Sequence, residues 1–435
     1  MSNKADSTNM KQAIKRELKP KLRFPEFRDA GEWDEKRLDE MFDFHSTANN
    51  SRADLSNAGN IFYIHYGDIH TKFHQYIDFS KDAIPKIPSS LYKNATFLKN
   101  GDLVIADASE DTEGIAKAVE VRGIEHGVKA ISGLHTILLR DSRQNYINGF
   151  KGLLREIAEV KKQIKRLAVG VKVYSVSKTV LKQVLLPLPS HPEQQKIADC
   201  LLSIDELITA QTQKLATLKT HKKAMMQQLF PAEGEILPKL RFPEFCDAGE
   251  WERMKLGEAA TFYNGKAYKQ EELLEWGKYK VLRVGNFFTN NNWYYSDLDM
   301  DETKYCDNGD LLYAWSASFG PRIWEGEKVI YHYHIWKVVR KKIVEKKFLF
   351  LILEYETERI KEQTANGLGL LHITKGTIEA WESSFPGIDE QKKIAECLSS
   401  IDELITAQTQ KLDTLKTHKK GLMQQLFPTL EEVQR

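Results

Sequence analysis

The 435-residue chain has few cysteines, no long hydrophobic run and almost no net charge. Its four cysteines include no closely spaced pair, so neither a zinc site nor a disulfide framework is predicted, and a reducing cytoplasm is expected. The longest apolar run, residues 348–353, is far shorter than the roughly 20 residues of a membrane helix, and the first residues lack a signal-peptide pattern. A net charge of +2 is not by itself a nucleic-acid signature.

Enzyme motifs are also missing. The sequence contains neither the Asp/Asn-Pro-Pro-Tyr/Phe motif of amino-methyltransferases nor a Walker A loop. The triplet at 34–36 has the D-x-K spacing of many nucleases, but a chain this rich in lysine contains such triplets by chance. Alternation in YHYHIWK predicts His332 and His334 on one face of a strand, without the further partners that a metal ion needs. We therefore predict no catalytic residue and no metal ligand.

The chain is built from two tandem halves. Residues 193–230 recur at 390–427 with six differences in 38 positions, and the block KLRFPEFRDAGEW at 21–33 recurs at 239–251 with one. Such repetition indicates that one structural plan is used twice. The segments between the repeated blocks are dissimilar, which is typical of one framework that carries two different domains.

The longer repeat has the pattern of a coiled-coil helix. Its seam alternates steps of four and three residues. The seam positions of the first copy are Ile197, Leu201, Ile204, Ile208, Gln211, Leu215, Leu218, Lys222, Met225 and Leu229. Pro231 and Pro428 end the two helices at matching places. Each helix is about 57 Å long, and two such stripes in one chain are predicted to bury each other as an antiparallel pair.

Two registers satisfy this pairing. One places Gln211 beside Lys419 and Lys222 beside Gln408, while a slide of one heptad places each of these polar residues against leucine or isoleucine. We expect the first register, because a polar group that faces an apolar partner costs more than two polar groups that face each other.

The segments between the repeats are predicted to be globular and mixed α+β. Short apolar runs at 61–69, 101–109, 133–140, 281–288, 309–318 and 331–339 read as strands, and 146–168 and 347–365 as helices. The predicted organisation is a flexible tail at 1–18, a first domain at 19–190, a helix at 191–231, a second domain at 232–388, a helix at 389–428 and a tail at 429–435. The two domains are predicted to be related by pseudo-twofold symmetry and separated by the helical pair.

The doubled pattern resembles the specificity subunit of type I restriction-modification systems. It consists of Trp33 to Leu38 and Trp251 to Leu256, then a Gly-Asp strand region, a proline-containing lead-in and EQxKIAxxL on a long helix. The resemblance implies two target recognition domains, each reading half of a split, asymmetric DNA site, with the helices setting the unread spacer. It also implies no catalysis, two adenine methyltransferase partners and motor-nuclease subunits. S-adenosylmethionine, ATP and magnesium are then expected on those partner subunits, in a bacterial or archaeal cytoplasm.

Individual DNA contacts are predicted from residue chemistry, since base edges are read by polar side chains and phosphates are held by Lys and Arg. For the first domain the candidates are Lys72, His74, Gln75, Ser109, Lys161, Lys162, Lys165 and Arg166. For the second domain they are Asn290, Asn291, Asn292, Ser316, Ser318 and Arg322. A solvated helix face explains the lysines equally well, and turn chemistry explains the asparagines. Trp293, Tyr294 and Trp315 are interpreted as core aromatics or as stacking surfaces.

Twin partners need twin sites, so partner binding is expected at positions that both helices repeat. Leu207 and Leu404 lie off the seam, and Asp205 and Asp402 accompany them. Lys222, Lys223, Lys419 and Lys420 are interpreted as facing DNA phosphates, a methyltransferase or solvent. The alternative function from another class is a two-headed coiled-coil scaffold that binds proteins rather than DNA.

Overall fold

A computed structural model describes residues 18–170, 172–288, 291–316, 320–364 and 373–428. The chain divides into two compact units: unit 1 comprises Met1–Gln211 with Lys411–Arg435, and unit 2 comprises Thr212–Gln410. Both divisions fall inside the repeated helices, so each unit contains part of each helix. The predicted tails at 1–18 and 429–435 lie outside the described residues, apart from the buried Leu18.

The first half of the chain contains twelve strands and five α-helices among its described residues. The strands are β1 (Asp34–Arg37), β2 (Asp43–His45), β3 (Ile61–Ile64), β4 (Tyr76–Asp78), β5 (Lys86–Ile87), β6 (Leu103–Ala106), β7 (Ala108–Ser109), β8 (Ala118–Arg122), β9 (Ala130–Ser132), β10 (Thr136–Arg140), β11 (Tyr174–Ser175) and β12 (Leu185–Leu188). The helices are α1 (Leu38–Met41), α2 (Tyr66–Thr71), α3 (Ala158–Leu167), α4 (Lys178–Leu181) and α5 (His191–Leu229). Short 3₁₀ turns lie at Pro25–Phe27, Arg52–Asp54, Ser89–Leu91 and Lys151–Glu156.

The second half contains ten strands and five α-helices among its described residues. Its strands are β13 (Glu252–Lys255), β14 (Ala260–Asn264), β15 (Tyr279–Leu282), β16 (Tyr294–Ser296), β17 (Tyr305–Cys306), β18 (Leu311–Ala314), β19 (Gly320–Ile323), β20 (Val329–Tyr331), β21 (Ile335–Arg340) and β22 (Glu382–Phe385). Its helices are α6 (Leu256–Ala259), α7 (Val284–Phe288), α8 (Lys346–Thr364), α9 (Lys375–Ala380) and α10 (Ile388–Leu426). Further 3₁₀ turns lie at Pro243–Phe245, Gln270–Glu272 and Glu302–Lys304. The mixed α+β class is confirmed.

Both units divide most of their strands between two main sheets, which differ in strand number. Unit 1 has a five-stranded sheet in the order β2-β10-β6-β8-β4 and a three-stranded sheet β5-β3-β9; unit 2 has β14-β21-β18-β19 and β16-β15-β20-β17. Within the second sheet of each unit one pair is parallel, with Phe62 opposite Ala130 and Val281 opposite Ile330. In each unit, a two-stranded ribbon joins the start of the domain to its end, β1 with β12 and β13 with β22.

The two long helices are confirmed, and in each unit their ends pack antiparallel. In unit 1 the start of α5 shares a hydrophobic core with the end of α10, through Ile197, Leu201 and Leu426. In unit 2 the end of α5 packs in the same way on the start of α10, with Leu229 and Ile394 in one core. The predicted seam therefore faces inward where the helices meet the domains.

The register that we expected for these helices is wrong. In unit 1 the Lys419 ammonium lies 2.6 Å from the Asp205 carboxylate, and in unit 2 Lys222 lies 2.8 Å from Asp402. Together with the core contacts of Ile197 and Leu426, these pairs correspond to the arrangement slid by one heptad. The reason is that each seam lysine reaches past the apolar residue opposite it to the aspartate next along the helix. The ammonium group of each seam lysine is thereby paired with a carboxylate, although no polar residue lies opposite it in the seam.

The repeated KLRFPEF block fastens the helix ends. In unit 1 Arg23 makes a buried bidentate ion pair with Glu193 near the start of α5, at 2.6 and 2.7 Å, while the Leu22 N–H donates to the Gln425 carbonyl near the end of α10. Trp33 donates its indole N–H to the same Glu193 (3.1 Å). We call this arrangement the clasp of unit 1.

Unit 2 contains the equivalent clasp. Arg241 pairs with Glu390 at 2.8 and 2.7 Å, and the Leu240 N–H donates to the Gln228 carbonyl at 2.9 Å. Trp251 packs edge-on against Phe230, just as Trp33 of unit 1 packs against Phe427. The block therefore repeats the ion pair, the backbone hydrogen bond and the ring contact, whereas the buried Trp251 indole N–H makes no hydrogen bond like that of Trp33 within the described residues.

Several predicted elements are shorter than expected. The predicted strand at 61–69 ends at Ile64 and continues as α2, and 281–288 divides between β15 and α7 in the same way. The predicted helix at 146–168 is a 3₁₀ turn followed by α3, separated by Ile157 in extended conformation. Where one apolar stretch contributes to two successive elements, the apolar pattern continues across their boundary. The sequence alone therefore does not indicate where the first element ends.

Candidate nucleic-acid interface

The basic helix predicted at the end of the first domain is α3. It buries Val160 and Ile164, which turns its lysine-rich side outward. Lys161 pairs with Glu156 at 2.7 Å and Lys165 pairs with Glu113. Lys162 and Arg166 are exposed, and over the described ranges neither makes an ion pair. These two side chains are therefore placed as phosphate contacts would be.

Lys72, His74 and Gln75 lie just after α2, in three different situations. Lys72 is exposed and its ammonium is 3.0 Å from the buried Asp68 carboxylate. His74 is exposed at the surface, and its pKa is lowered by desolvation and by the nearby Lys117 and Lys419.

Gln75 is turned toward the helices. With its amide oriented to satisfy its neighbours, it donates to Asp205 at 2.9 Å and accepts from Lys419 at 3.0 Å. This side chain therefore links the first domain to α5 and α10, and its amide is not presented to a base.

The two serines that end the central strands are buried. Ser109 is 7% exposed and accepts a hydrogen bond from the Asp111 N–H at 3.3 Å, and Ser316 is 8% exposed. Burial weighs against direct base contact by either hydroxyl, because a base edge must approach within hydrogen-bonding distance. The two serines predicted as base contacts are therefore residues that point inward.

The second-domain candidates are only partly described. Asn291 and Asn292 are exposed, and the Asn292 carbonyl accepts from the Asn286 amide at 2.8 Å, which is turn chemistry. Arg322 lies exposed on β19 with its guanidinium 5.9 Å from the Phe287 ring centroid. Asn290 and Ser318 lie outside the described residues.

The candidate partner positions divide into two pairs. Leu207 and Leu404 are 50% and 57% exposed on α5 and α10, as a docking site requires. Asp205 and Asp402 are instead engaged within their own units by Lys419 and Lys222.

The repeated lysines near the ends of α5 and α10 also differ in their surroundings. Lys222 is buried between Glu354 (2.6 Å) and Asp402 (2.8 Å) and so does not face phosphates or solvent, which corrects that interpretation. Burial works to lower its pKa, but these two carboxylates outweigh that effect and raise it. Lys223 and Lys420 remain exposed.

A cluster that the sequence did not reveal lies at one edge of unit 1, where β3, β6 and β9 end and β10 begins. The His135 and Tyr66 rings pack in a T-shaped arrangement with their centroids 5.3 Å apart. The His135 Nδ1 is 3.1 Å from the Asp107 carboxylate. His70 Nε2 is 2.8 Å from the Ala108 carbonyl. Buried beneath them, His65 accepts from the Gly67 N–H at 3.0 Å, and desolvation lowers its pKa.

Unit 2 carries an aromatic cluster at the corresponding edge. Trp315 donates its indole N–H to the Tyr333 carbonyl at 2.7 Å and lies edge-on to His334, with centroids 4.9 Å apart. The ring centroids of His332 and His334 are also 4.9 Å apart. Desolvation, reinforced by His334 and Arg283, lowers the pKa of His332 to about 4.

The prediction of one strand through YHYHIWK is therefore wrong. His332 follows β20 and His334 precedes β21, so the two histidines belong to a tight turn between strands. The Ile335 N–H donates to the His332 carbonyl at 2.9 Å and closes that turn. Within the described residues no three His, Cys, Asp or Glu side chains are grouped so as to hold a metal ion.

The signal for these clusters becomes visible only once the strands are aligned. Asp107 and Trp315 each follow the central strand of a sheet, and His135 and His334 each precede the neighbouring strand. The two clusters expose donors, acceptors and aromatic faces on one framework, and these are the groups that contact base edges. None of the described helices is long and apolar enough to span a bilayer.

Comparison with protein families gives one match, which covers both halves. Residues 30–220 and 248–417 match the family model "Type I restriction modification DNA specificity domain". Two relatives come from Methanocaldococcus jannaschii. The type I restriction enzyme MjaVIII specificity subunit is 27% identical over 59% of this chain, and the match spans 64% of that relative. The putative type I restriction enzyme MjaX specificity subunit is 27% identical over 68% of this chain and 71% of its own length.

Solved structures with the same fold extend over nearly the whole chain. The S subunit of a type I restriction-modification system from M. genitalium covers 95% of this chain and 100% of its own, at 14% identity and a TM-score of 0.57. A chain from a study of complex assembly and conformational transition of the type I R-M system covers 91% of this chain and 97% of its own, at 15% identity and a TM-score of 0.56. With a family model matched over most of its length, this chain belongs to the type I restriction-modification DNA specificity family.

Proposed function

We propose that this chain is the DNA sequence-specificity subunit of a type I restriction-modification complex, in which each domain reads one half of a bipartite, asymmetric site. The observation that carries this proposal is the pairing of one repeated framework with two different polar surfaces. The units share the order β2-β10-β6-β8 with β14-β21-β18-β19 and have equivalent helix ends, yet the same edge carries Asp107 and His135 in unit 1 and Trp315 and His334 in unit 2. Two unlike readers on one scaffold suit a site whose halves differ.

The long helices would set the unread spacer. Each has 39 residues and is therefore about 58 Å long. A spacing set by helices of this length would be on the order of one to two turns of B-DNA, at ~34 Å per turn. The exposed Lys162 and Arg166 on α3 would bind the phosphate backbone, which fixes position without reading sequence.

The chain would act without catalysing a reaction itself. Two adenine methyltransferase subunits would dock on the helices at the exposed Leu207 and Leu404, and motor-nuclease subunits would complete the restriction enzyme. S-adenosylmethionine would be bound by the methyltransferases, and ATP and magnesium by the motor subunits, in a bacterial or archaeal cytoplasm.

The test is to co-express this chain with the methyltransferase encoded beside it and to map N6-methyladenine by long-read sequencing. The expected result is a split, asymmetric motif with an unread gap, which is lost when this chain is omitted. Methylation that persists without the chain, or none from a purified complex, would instead support the protein-binding scaffold.

Docking is tested separately with Leu207→Asp combined with Leu404→Asp. The double variant is expected to lose co-purification with the methyltransferase, because a charge in an apolar interface core is costly. The matched control is Thr220→Asp with Thr417→Asp, which places the same negative charge at two other repeated, exposed helix positions. Intact assembly in the leucine double variant would refute this docking site.

A further inference from the structure

The two edge clusters occupy the same place in the backbone of each unit. In unit 1 the turn between β9 and β10 is fixed by three hydrogen bonds. Gly133 N–H donates to the Ile64 carbonyl (3.0 Å), Thr136 N–H to the Gly133 carbonyl (3.1 Å), and Asp107 N–H to the His135 carbonyl (3.1 Å).

The turn between β20 and β21 in unit 2 has the same three bonds. His332 N–H donates to the Leu282 carbonyl (2.9 Å), Ile335 N–H to the His332 carbonyl (2.9 Å), and Trp315 N–H to the His334 carbonyl (3.1 Å). His135 and His334 are thus equivalent positions, and Trp315 stands where unit 1 has Asp107. The three backbone hydrogen bonds are common to both turns, whereas the positive φ belongs to His135 and not to His334, and the side chains at the Asp107 and Trp315 positions differ.

We propose that base identity in each half-site is read by this turn: by His135 with Asp107 in unit 1, and by Trp315 with Tyr333 and His334 in unit 2. The inference rests on the proposed function, and it names the specificity-determining side chains within each domain. The proposal does not include the α3 lysines, which would contact phosphates, or the buried serines at the strand ends.

The chemistry of the unit 1 turn is selective. The Asp107 carboxylate only accepts, so His135 donates its Nδ1–H at 3.1 Å, and the tautomer with its proton on Nδ1 presents Nε2 as an acceptor. The exocyclic amino groups of adenine and cytosine are the donors of the major groove. Unit 1 therefore favours adenine or cytosine, rather than guanine or thymine, as the base that His135 contacts.

The backbone of His135 supports the assignment. Its φ is +56°, in the left-handed region that side chains other than glycine rarely occupy. Strain of this kind is concentrated at functional sites, where the surrounding structure holds a side chain in place. The bond to Asp107 and the ring of Tyr66 hold the imidazole in one orientation.

The unit 2 turn has no carboxylate at the equivalent place. Trp315 is pinned by its indole hydrogen bond to the Tyr333 carbonyl, and Tyr333 is exposed beside it. An aromatic face contacts the thymine methyl group or an unstacked base and does not select an amino group. The two half-sites are therefore expected to differ at the base pairs that these turns contact.

The experiment compares methylation motifs for the full chain co-expressed with its methyltransferase. His135→Ala is expected to relax one base pair in one half-site, reducing discrimination there by about 5- to 150-fold, and to leave the other half-site unchanged. Trp315→Ala is expected to relax only the opposite half-site. Asp107→Asn should relax the same base pair as His135→Ala, because it removes the carboxylate that orients the ring.

The controls are surface residues at the far ends of the same strands. His126 precedes β9 and Trp276 precedes β15, and both are exposed. His126→Ala and Trp276→Ala are expected to leave both half-sites intact. If His135→Ala abolishes all methylation, His135→Gln keeps a hydrogen-bonding side chain and supplies the motif instead.

The outcomes separate the inference from the function beneath it. Absence of a bipartite motif with the natural sequence would overturn the proposed function. A normal bipartite motif that neither His135→Ala nor His135→Gln alters would overturn the inference alone, as would equal relaxation of both half-sites by either variant.

Discussion

At the scale of single residues, two arginines fasten the framework: Arg23 is buried and Arg241 is partly buried. Arg23 and Arg241 each place a guanidinium flat against a buried glutamate, with two hydrogen bonds per pair. A paired buried charge contributes little beyond an apolar substitute, but removal of one partner leaves the other charge uncompensated. The loss of stability is therefore expected to be large when only one member of the pair is removed.

Arg23→Ala is expected to destabilise unit 1 by about 3–5 kcal/mol, because Glu193 is left buried without its cation. Urea unfolding followed by tryptophan fluorescence measures the change, and Arg241→Ala should have a comparable effect on unit 2. The control is Lys196→Ala, whose exposed ammonium lies 3.1 Å from Glu26 and contributes about 1 kcal/mol or less. Equal effects of Arg23→Ala and Lys196→Ala would contradict the clasp.

His332 makes unit 2 sensitive to acid. Its pKa falls from the ordinary 6.5 to about 4 in the folded chain, chiefly because of desolvation. Between these values the unfolded chain binds a proton that the folded chain does not, so stability is full above pH 6.5 and declines as the pH falls toward 4.

His332→Gln is expected to remove about 1–3 kcal/mol of this decline, since glutamine does not titrate in that range. The free energy of unfolding at pH 8 and at pH 4.5 would be compared for both proteins. A decline of the same size in His332→Gln would show that other groups cause it.

At the scale of elements, the paired helices show how one lysine per unit fixes their alignment. Lys222 lies between Glu354 of α8 and Asp402 of α10, so it joins the second domain to both long helices. Lys419 plays the same part in unit 1 through Asp205 and Gln75. A domain and the helices beside it are thus held in one orientation by a single ammonium group.

Lys222→Ala is expected to cost about 1–3 kcal/mol of stability, because two partly buried carboxylates are left without their cation. Lys223→Ala, on the adjacent exposed position, should change the free energy of unfolding by no more than about 0.5 kcal/mol. Thermal or urea unfolding distinguishes them. If the two alanine variants were equally stable, Lys222 would have no part in the alignment.

For the molecule as a whole, the small net charge conceals a local basic surface. Lys162 and Arg166 are exposed on α3, while Lys161 and Lys165 are already paired with glutamates. The exposed pair would provide sequence-independent attraction to DNA. Its contribution to affinity is expected to weaken as the salt concentration rises, because the release of counterions from DNA then becomes less favourable.

Lys162→Ala with Arg166→Ala is expected to lower the salt dependence of DNA affinity by about 2 in the slope of log K against log salt. The loss should be the same for specific and unrelated DNA, as gel-shift titrations would show. Lys93→Ala, at an exposed lysine outside α3, should leave the slope unchanged. An unchanged slope in the double variant would move the phosphate contacts elsewhere.

The repeated architecture could be predicted from the sequence because the pattern of each helix depends on residues that are close together in the chain. The heptad spacing from Ile197 to Leu229, the prolines that follow and the second copy each depend only on neighbouring residues. They therefore predicted both long helices, while the short apolar runs between the repeated blocks predicted the mixed α+β domains and the doubled motif order carried the family resemblance. Among the candidate site residues, the same reasoning selected exposed lysines on α3 but also the inward-facing Ser109 and Ser316.

Only the tertiary structure decided the register of the helices and the membership of the edge clusters. Lys419 meets Asp205 across the pair, and Asp107 meets His135 across two strands, so each pairing joins residues far apart in sequence. The sequence allowed two registers with equally apolar seams, and the choice was made by ion pairs beside the seam. Local periodicity determines which face of an element is buried, whereas the energies that select its partner come from groups that folding alone brings together.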